Sequence, residues 1–447
     1  MCVKHMRSSS IIVFLWATIA LGMAIGSDPC GSSENEIAVI PILGKCSPFK
    51  NTSSHVRTWD ESVMDMASND PLRIQYLFSL DASFRKKPVS AAPIASGQNF
   101  NIGNYIVRVR LGTPSQLFFM VLDTSTDEAW VPCTGCTGCY SSTYYSPQAS
   151  TSYGGSLPCY APRCAQARGA QPCSSSNSNA CTFNQSYAGS TFSATLVQDS
   201  LKLGLETLPS YAFGCINSVS GESIPDQGLL GLGRGSLSLI SQSWSFYSGV
   251  FSYCLPSFKS PYFSGSLKLG PTGQPRRIRT TPLLRSPRRP SLYYVNLTGV
   301  TVGRVQVPLP TEYLTFDPYK GSGTIIDSGT VITRFVEPVY NAIRDEFRKQ
   351  VKGPFGSIGG FDTCFVKTYE TLAPSIKFRF TGLDVTLPYE NILIHSSNRA
   401  VACLAMAAAP NNVNSVLNVI ANYQQQNLRI LFDTVNNRVG IARELCN

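Results

Sequence analysis

The chain has 447 residues, with 37 Lys and Arg against 27 Asp and Glu, fifteen cysteines and only three histidines. His5 and His55 lie in N-terminal segments read below as removable, so His395 alone would remain; multi-histidine metal sites and the H-E-x-x-H motif are excluded, and no G-x-S-x-G elbow exists for a serine triad. Charged residues are only 14% while apolar content is ordinary, which excludes a disordered chain and leaves a globular protein large enough for two or three cores.

Lys4 and Arg7 precede an uncharged apolar run, Ile11 to Ile25, that ends in Ala24-Ile25-Gly26. A basic start, an apolar centre and small residues at the cut read as a signal peptide over 1–26; a membrane span needs about twenty apolar residues. No second run of spanning length follows. The expected product is secreted and extracellular, without a membrane partner. Residues 27–100 differ in texture from the rest. They hold an acidic, helix-compatible stretch from Trp59 to Leu80, then Arg85-Lys86-Lys87 and a Pro/Ala/Ser/Gly stretch from Pro88 to Gly97. They read as a prosegment and processing linker, the alternative being a mobile arm that is never removed.

From Asn104 the pattern turns to strands. Tyr105 to Leu111 alternates, Gly112-Thr113-Pro114 turns the chain, and Leu117 to Leu122 is continuously apolar. Short β-rich runs broken by Gly, Ser, Asn and Pro continue nearly to the end, which predicts an all-β protein with few helices. One helix stands out over Glu337–Val351, where Val339, Ile343, Phe347 and Val351 recur every fourth residue and Pro338 occupies the first turn. Two β lobes are expected, 101–285 with a Cys-rich insertion at 133–181, and 286–447.

Export makes disulfides the reading for the twelve cysteines beyond residue 130: Cys133, Cys136, Cys139, Cys159, Cys164, Cys173, Cys181, Cys215, Cys254, Cys364, Cys403 and Cys446. Their pairing is open. The run Cys133-x-x-Cys136-x-x-Cys139 would suggest a metal site only in a cytosolic chain, so no metal and no cofactor are expected. Asn51, Asn184 and Asn296 open N-x-S/T sequons, candidates for glycosylation in a secreted protein.

The sequence repeats itself loosely. Val121-Leu122-Asp123-Thr124-Ser125-Thr126 resembles Ile325-Ile326-Asp327-Ser328-Gly329-Thr330, and each is followed about a hundred residues later by an apolar pair, Leu229-Leu230 or Val419-Ile420. Two carboxylates on matching strand ends suit peptide hydrolysis. At close range they cannot both ionise, so one keeps its proton while the other activates water. No histidine, metal or covalent intermediate is needed. Thr124, Ser125, Thr126, Ser328, Gly329 and Thr330 would hold the carboxylates through backbone N–H groups and hydroxyls.

These motifs, with Trp130 downstream, resemble the two active-site motifs of pepsin-like aspartic proteases, and the likeness runs from about Tyr105 to Cys446. It implies a bilobal all-β fold and aspartic endopeptidase activity on polypeptide at acid pH, with Asp123 and Asp327 as the catalytic pair. Tyr187, with Ala188, Gly189 and Ser190, sits where that family carries a flap over the substrate. Gly228 to Gly233, and Asn418-Val419-Ile420-Ala421 with the following Asn422-Tyr423-Gln424-Gln425-Gln426-Asn427, resemble the elements beneath the two catalytic loops. The extra cysteines and the last run resemble the atypical, nucellin-like proteases of plants, secreted to the apoplast or cell wall. Two positions depart from the usual pattern. Ser125 replaces a glycine, its hydroxyl able to compete for the Asp123 carboxylate, and Ala421 replaces another.

Secreted relatives with degraded dyads inhibit microbial cell-wall glycosidases, which is the alternative function. Arg85, Lys86 or Lys87 are candidates to neutralise the dyad before activation, or else form a processing site. Arg276, Arg277, Arg279, Arg285, Arg288 and Arg289 fall within fourteen residues without one acid. In a secreted protein they suggest acidic cell-wall polysaccharide rather than nucleic acid, or simply a solvated loop between lobes. A monomer is expected.

Overall fold

The computed structural model describes residues 37–41, 47, 59–79, 104–173, 179–204, 206–257, 265–366, 373–396, 400–410 and 415–446. Residues 1–26, Arg85-Lys86-Lys87 and Asn51 lie outside them. Strands dominate throughout. The alternation of Tyr105–Leu111 becomes a strand with Tyr105, Val107, Val109 and Leu111 buried and Arg108 and Arg110 exposed. It pairs antiparallel with Gln116–Asp123, Ile106 opposite Val121, through a turn in which Gly112 takes φ +77°.

A continuous platform of strands joins the halves. Tyr105–Leu111 is followed by Ile37–Pro41, Gly265–Leu269, Val250–Cys254, Leu428–Asp433, Arg438–Arg443 and Arg279–Leu284, all antiparallel. The strand Ile37–Pro41 was not expected from the sequence. Its five residues are buried, Val39 opposite both Val107 and Gly265, so the N-terminal segment is built into the platform rather than draped over it.

Two smaller sheets of four strands flank the second half. The predicted helix forms at Glu337–Gln350 and buries Val339, Ile343 and Phe347, as its four-residue spacing requires. His395 lies in one of the small sheets, opposite Ala402. All twelve cysteines beyond residue 130 pair: Cys133–Cys215, Cys136–Cys139, Cys159–Cys173, Cys164–Cys181, Cys254–Cys446 and Cys364–Cys403. Among the described residues no helix is long and apolar enough to cross a membrane. Asn184 is exposed on its strand, while the Asn296 side-chain amide donates to Thr381 Oγ1 at 2.8 Å.

The acidic stretch forms two helices, α1 (Trp59–Ser68) and α2 (Asp70–Ser79). Met66, Ala67, Ile74, Tyr76 and Leu77 are buried against the body of the protein. Ile74 and Leu77 pack with Leu292, Tyr294, Ile325 and Leu417 of the second half. A helix this short is marginal in water alone, so α2 owes its order to this packing.

Candidate active site

Both motif aspartates are delivered by the same local construction. Val121, Leu122 and Asp123 run parallel to Leu229, Leu230 and Gly231, while Ile325 and Ile326 run parallel to Val419 and Ile420. The apolar pairs noted in the sequence are thus the neighbouring strands of the two aspartate strands. Leu232 N–H donates to the Asp123 carbonyl at 2.8 Å and Asp327 N–H to the Ile420 carbonyl at 3.0 Å. Gly233 N–H reaches Thr126 O, and Asn422 N–H reaches Thr330 O in the same relation. The Gln425 amide donates to the carbonyls of Asp327 and Ile420, which gives the Asn-Tyr-Gln-Gln-Gln-Asn run its place: it is buried scaffolding beneath the second loop.

The carboxylates are held by mirrored donors. Ser125 N–H and Thr126 Oγ1 donate to Asp123 at 2.8 and 3.0 Å; Gly329 N–H and Thr330 Oγ1 donate to Asp327 at 3.0 and 2.6 Å. Thr124 and Ser328 clasp one another across the axis, each hydroxyl accepting the other residue's N–H, at 2.9 and 3.1 Å. Ser328 Oγ also donates to the Leu122 carbonyl. The Ser125 departure is accommodated without strain. Its backbone supplies the N–H a glycine would, and its hydroxyl adds a second bond to Asp123 at 3.0 Å. Gly329 has no such freedom, because a Cβ there would lie 2.9 Å from Asp123 Cγ. At Ala421 the backbone is ordinary extended chain and its N–H donates to Thr333 Oγ1 at 3.1 Å.

Asp123 and Asp327 are both fully buried. The group between them is Arg73 of α2. Its Nη2 donates to both Asp123 carboxylate oxygens at 2.7 Å and to Ser125 Oγ, and its Nε lies 3.5 Å from Asp327 Oδ2. Burial opposes the guanidinium charge, but the two carboxylates hold it well above the usual range. Burial pushes the Asp327 carboxyl up, Arg73 pulls it down and Asp123 pushes it up again; the balance is upward. Arg85, Lys86 and Lys87, the bases proposed over the dyad from the sequence, lie outside the described residues. Among the described residues the base there is Arg73, which lies one turn from both Asp70 and Tyr76 and shares their inward helix face.

Asp70 fastens the same helix. Its two oxygens accept the N–H groups of Val331 and Ile332 at 2.9 and 2.8 Å, and Arg334 Nε stands 3.8 Å away. Burial pushes its carboxyl up to about 6 against those three partners. Tyr187 covers the other side, buried edge-on against Trp130 at 5.6 Å with its hydroxyl accepting from Asn104 Nδ2 at 3.1 Å. Ala188 and Gly189 turn the hairpin at positive φ, and Gly189 abuts Leu72. Ser190 sits opposite Tyr187 and its buried hydroxyl accepts Ser223 N–H at 2.7 Å, so it braces the hairpin rather than facing the dyad.

Asp127 and Glu128 follow the first motif and carry a signal the motif reading passed over: two adjacent acids in an apolar stretch. Asp127 accepts Gly235 N–H at 2.7 Å and the Ser291 hydroxyl, tying the first loop to the second half. Glu128 accepts Arg168 N–H at 2.7 Å. Burial, with the Asp127 charge beside it, pushes Glu128 up to about 7. A carboxyl raised in the folded state favours folding fully below its unfolded value near 4.5, and that contribution disappears as pH rises through 7. Asp70 acts in the same sense up to about 6. The lowered carboxyls Asp199, Asp362 and Asp433 lose their contribution only in stronger acid. The full-length chain is therefore expected to melt higher at pH 5 than at pH 8. Glu128→Gln should remove a share of that difference on the order of 2–3 kcal/mol. An unchanged difference between the two pH values in this variant would show that Glu128 does not titrate in this window.

Residues 105–271 match the family described as Xylanase inhibitor N-terminal, and residues 292–443 the one described as Xylanase inhibitor C-terminal. The chain is 56% identical to Aspartyl protease AED3 of Arabidopsis thaliana over 99% of this chain and 100% of that one. It is 50% identical to Aspartyl protease 25 of Oryza sativa subsp. japonica, covering 87% of this chain and 91% of that one. Among solved structures, edgp shares the fold with a TM-score of 0.63 at 20% identity, over 77% of this chain and 92% of that one. Two mirrored aspartate loops on a pepsin-like β scaffold and these relatives agree: the chain belongs to the pepsin-like aspartic proteases, in the plant group whose two halves carry the xylanase-inhibitor description.

Proposed function

We propose that the chain is the latent precursor of a secreted aspartic endopeptidase that cuts polypeptide at acid pH, in the apoplast or cell wall. The observation that carries this reading is the mirrored set of donors on Asp123 and Asp327 around one shared space. Two buried carboxylates facing one space divide their ionisation, so that one keeps a proton the other has lost. The ionised partner then takes a proton from a water between them as that water attacks the peptide carbonyl. The protonated partner hydrogen-bonds the carbonyl oxygen as charge develops on it. Tyr187, on the tip-side of its hairpin, would cover the substrate.

Residues 27–100 act as the prosegment in this reading. Arg73 occupies the space the water needs, and its charge satisfies both carboxylates. The segment is not itself a substrate in this pose, because α2 is helical and a helix engages its peptide groups internally. The signal peptide at 1–26 and six disulfides suit export. Retention on acidic polysaccharide draws support from exposed Arg276, Arg277, Arg279 and Arg285; Arg289 does not belong to that surface, since it is buried and donates to the Gly321 carbonyl at 2.6 Å.

The family description of both halves favours a second reading, a protein that binds and inhibits cell-wall glycosidases. The complete donor sets on both aspartates support the peptidase instead. The deciding experiment incubates the acid-matured protein with a peptide library near pH 4, with and without a statine-type transition-state inhibitor. Cleavage that the inhibitor stops is expected. No cleavage at all, together with tight binding to a xylanase, would establish the second reading.

A further inference from the structure

Beside the dyad, Tyr76 of α2 stands in a box whose walls are mostly not its own segment. Two guanidinium groups lie against its ring, with the Cζ atoms of Arg73 and Arg168 each 5.0 Å from its centroid. The Tyr187 ring packs against it at 6.3 Å, and its hydroxyl lies 3.5 Å from Thr126 Oγ1. Arg73 belongs to the same helix as Tyr76 and would depart with it. Arg168, Tyr187 and Thr126 belong to the body of the protein and would stay.

Arg168 is delivered there by a stiff piece of chain. Its N–H donates to Glu128 and its carbonyl accepts Gln185 Nε2 at 3.3 Å, so the backbone is anchored both to the first aspartate loop and to the Tyr187 strand. The next residue, Gly169, has φ +73° and its carbonyl accepts Asn184 N–H at 3.1 Å. Only glycine fits, since a Cβ would run into the Asn184 carbonyl. Cys159–Cys173 and Cys164–Cys181 close the surrounding loop on either side. A side chain that springs from an anchored backbone costs less to order at each binding event than one on a free loop.

We propose that Arg168 is a specificity-determining residue of the peptidase site: once α2 withdraws, the space of the Tyr76 ring takes an aromatic side chain of the substrate, flanking the bond that is cut, with the Arg168 guanidinium on its face. The inference rests on the peptidase reading above. A guanidinium is attracted by the electron-rich face of a ring and offers nothing comparable to leucine, although both side chains fill apolar space. The same charge repels a lysine placed there.

The test uses four peptides identical except for Tyr, Leu, Lys or Glu beside the scissile bond, cut by acid-matured wild type and by Arg168→Gln and Arg168→Lys. Either change leaves the backbone bonds at 168 in place. Wild type is expected to prefer Tyr over Leu in kcat/KM by about three- to thirty-fold, and to cut the Lys peptide least. Arg168→Gln should bring the Tyr/Leu ratio towards one, mainly through KM, and relieve the discrimination against Lys; Arg168→Lys should keep part of both preferences. A Tyr/Leu ratio equal in wild type and Arg168→Gln overturns the inference while leaving the peptidase intact. So does a fall in all four peptides alike, or a wild-type preference for Glu over Tyr. Failure of the wild type to cut any of the four would overturn the peptidase reading, and this inference with it.

Discussion

Arg73→Gln is expected to open the cleft of the full-length precursor at neutral pH, where the wild type stays closed. The guanidinium is the only cation among the described residues that touches both Asp123 and Asp327, and all three groups are buried. Removing one partner of a buried ion pair leaves uncompensated charge and costs about 3–5 kcal/mol. If that cost falls on the docked state, the open form gains by about 10²- to 10⁴-fold. Binding of a labelled statine-type inhibitor at pH 7 reads the open form directly. Arg73→Lys, which restores a charge but not the geometry, should lie between the two. The variant also separates two sources of pH dependence. Docking raises Asp70 above its free value, to about 6, so protonation of Asp70 strengthens docking as pH falls. Protonation of Asp327 removes a charge that Arg73 pairs with, so that contact weakens in acid. The Arg73→Gln precursor is accordingly expected to open with little further increase between pH 7 and pH 4. Inhibitor binding that rises with acid as steeply as in wild type would place the trigger elsewhere.

Asp327→Asn is expected to lower kcat by about 10³-fold or more, because the amide can neither take nor give the proton that the reaction moves. The substitution is nearly the same shape. Gly329 N–H keeps the amide oxygen to donate to, the Thr330 hydroxyl can turn to accept from the new NH2, and Thr124 and Ser328 still clasp the loops together. The loss should therefore fall on kcat, with KM and thermal stability changed little. A matched loss of folded protein would point to a structural role for Asp327 instead. The mirrored substitution, Asp123→Asn, should do the same to catalysis. It differs in also weakening the Arg73 contact, since the shortest bonds from that guanidinium go to Asp123 and Ser125.

How much of this was legible in the sequence follows from the range of each interaction. Asp123 and Asp327 announce themselves because their supporting donors lie two and three residues away, within one loop. The apolar pairs at 229–230 and 419–420 are legible as repeats of spacing, and they are the parallel neighbours of the aspartate strands. The helix at 337–350 and the twelve bonded cysteines follow from period and compartment, although no spacing rule selects Cys254–Cys446 or Cys133–Cys215. Arg73 was missed because a lone base in an acidic stretch is inconspicuous beside Arg85-Lys86-Lys87, and its meaning depends on partners 50 and more residues away. One sign was available: Asp70, Arg73 and Tyr76 recur every third residue and so share a face. Arg289 misled in the opposite way, counted with an exposed basic run although its guanidinium is buried among carbonyls. The strand Ile37–Pro41 carries only a short apolar run, too brief to separate from loop by pattern.

The central claim is that Asp123 and Asp327 together hydrolyse peptide bonds once Arg73 leaves them. Its most direct measurement follows a denatured polypeptide by mass spectrometry at pH 4, with acid-treated wild type and Asp327→Asn purified in parallel. Discrete new termini are expected with wild type and none with Asp327→Asn at equal protein concentration. The same termini from both proteins, or none from either, would contradict the claim.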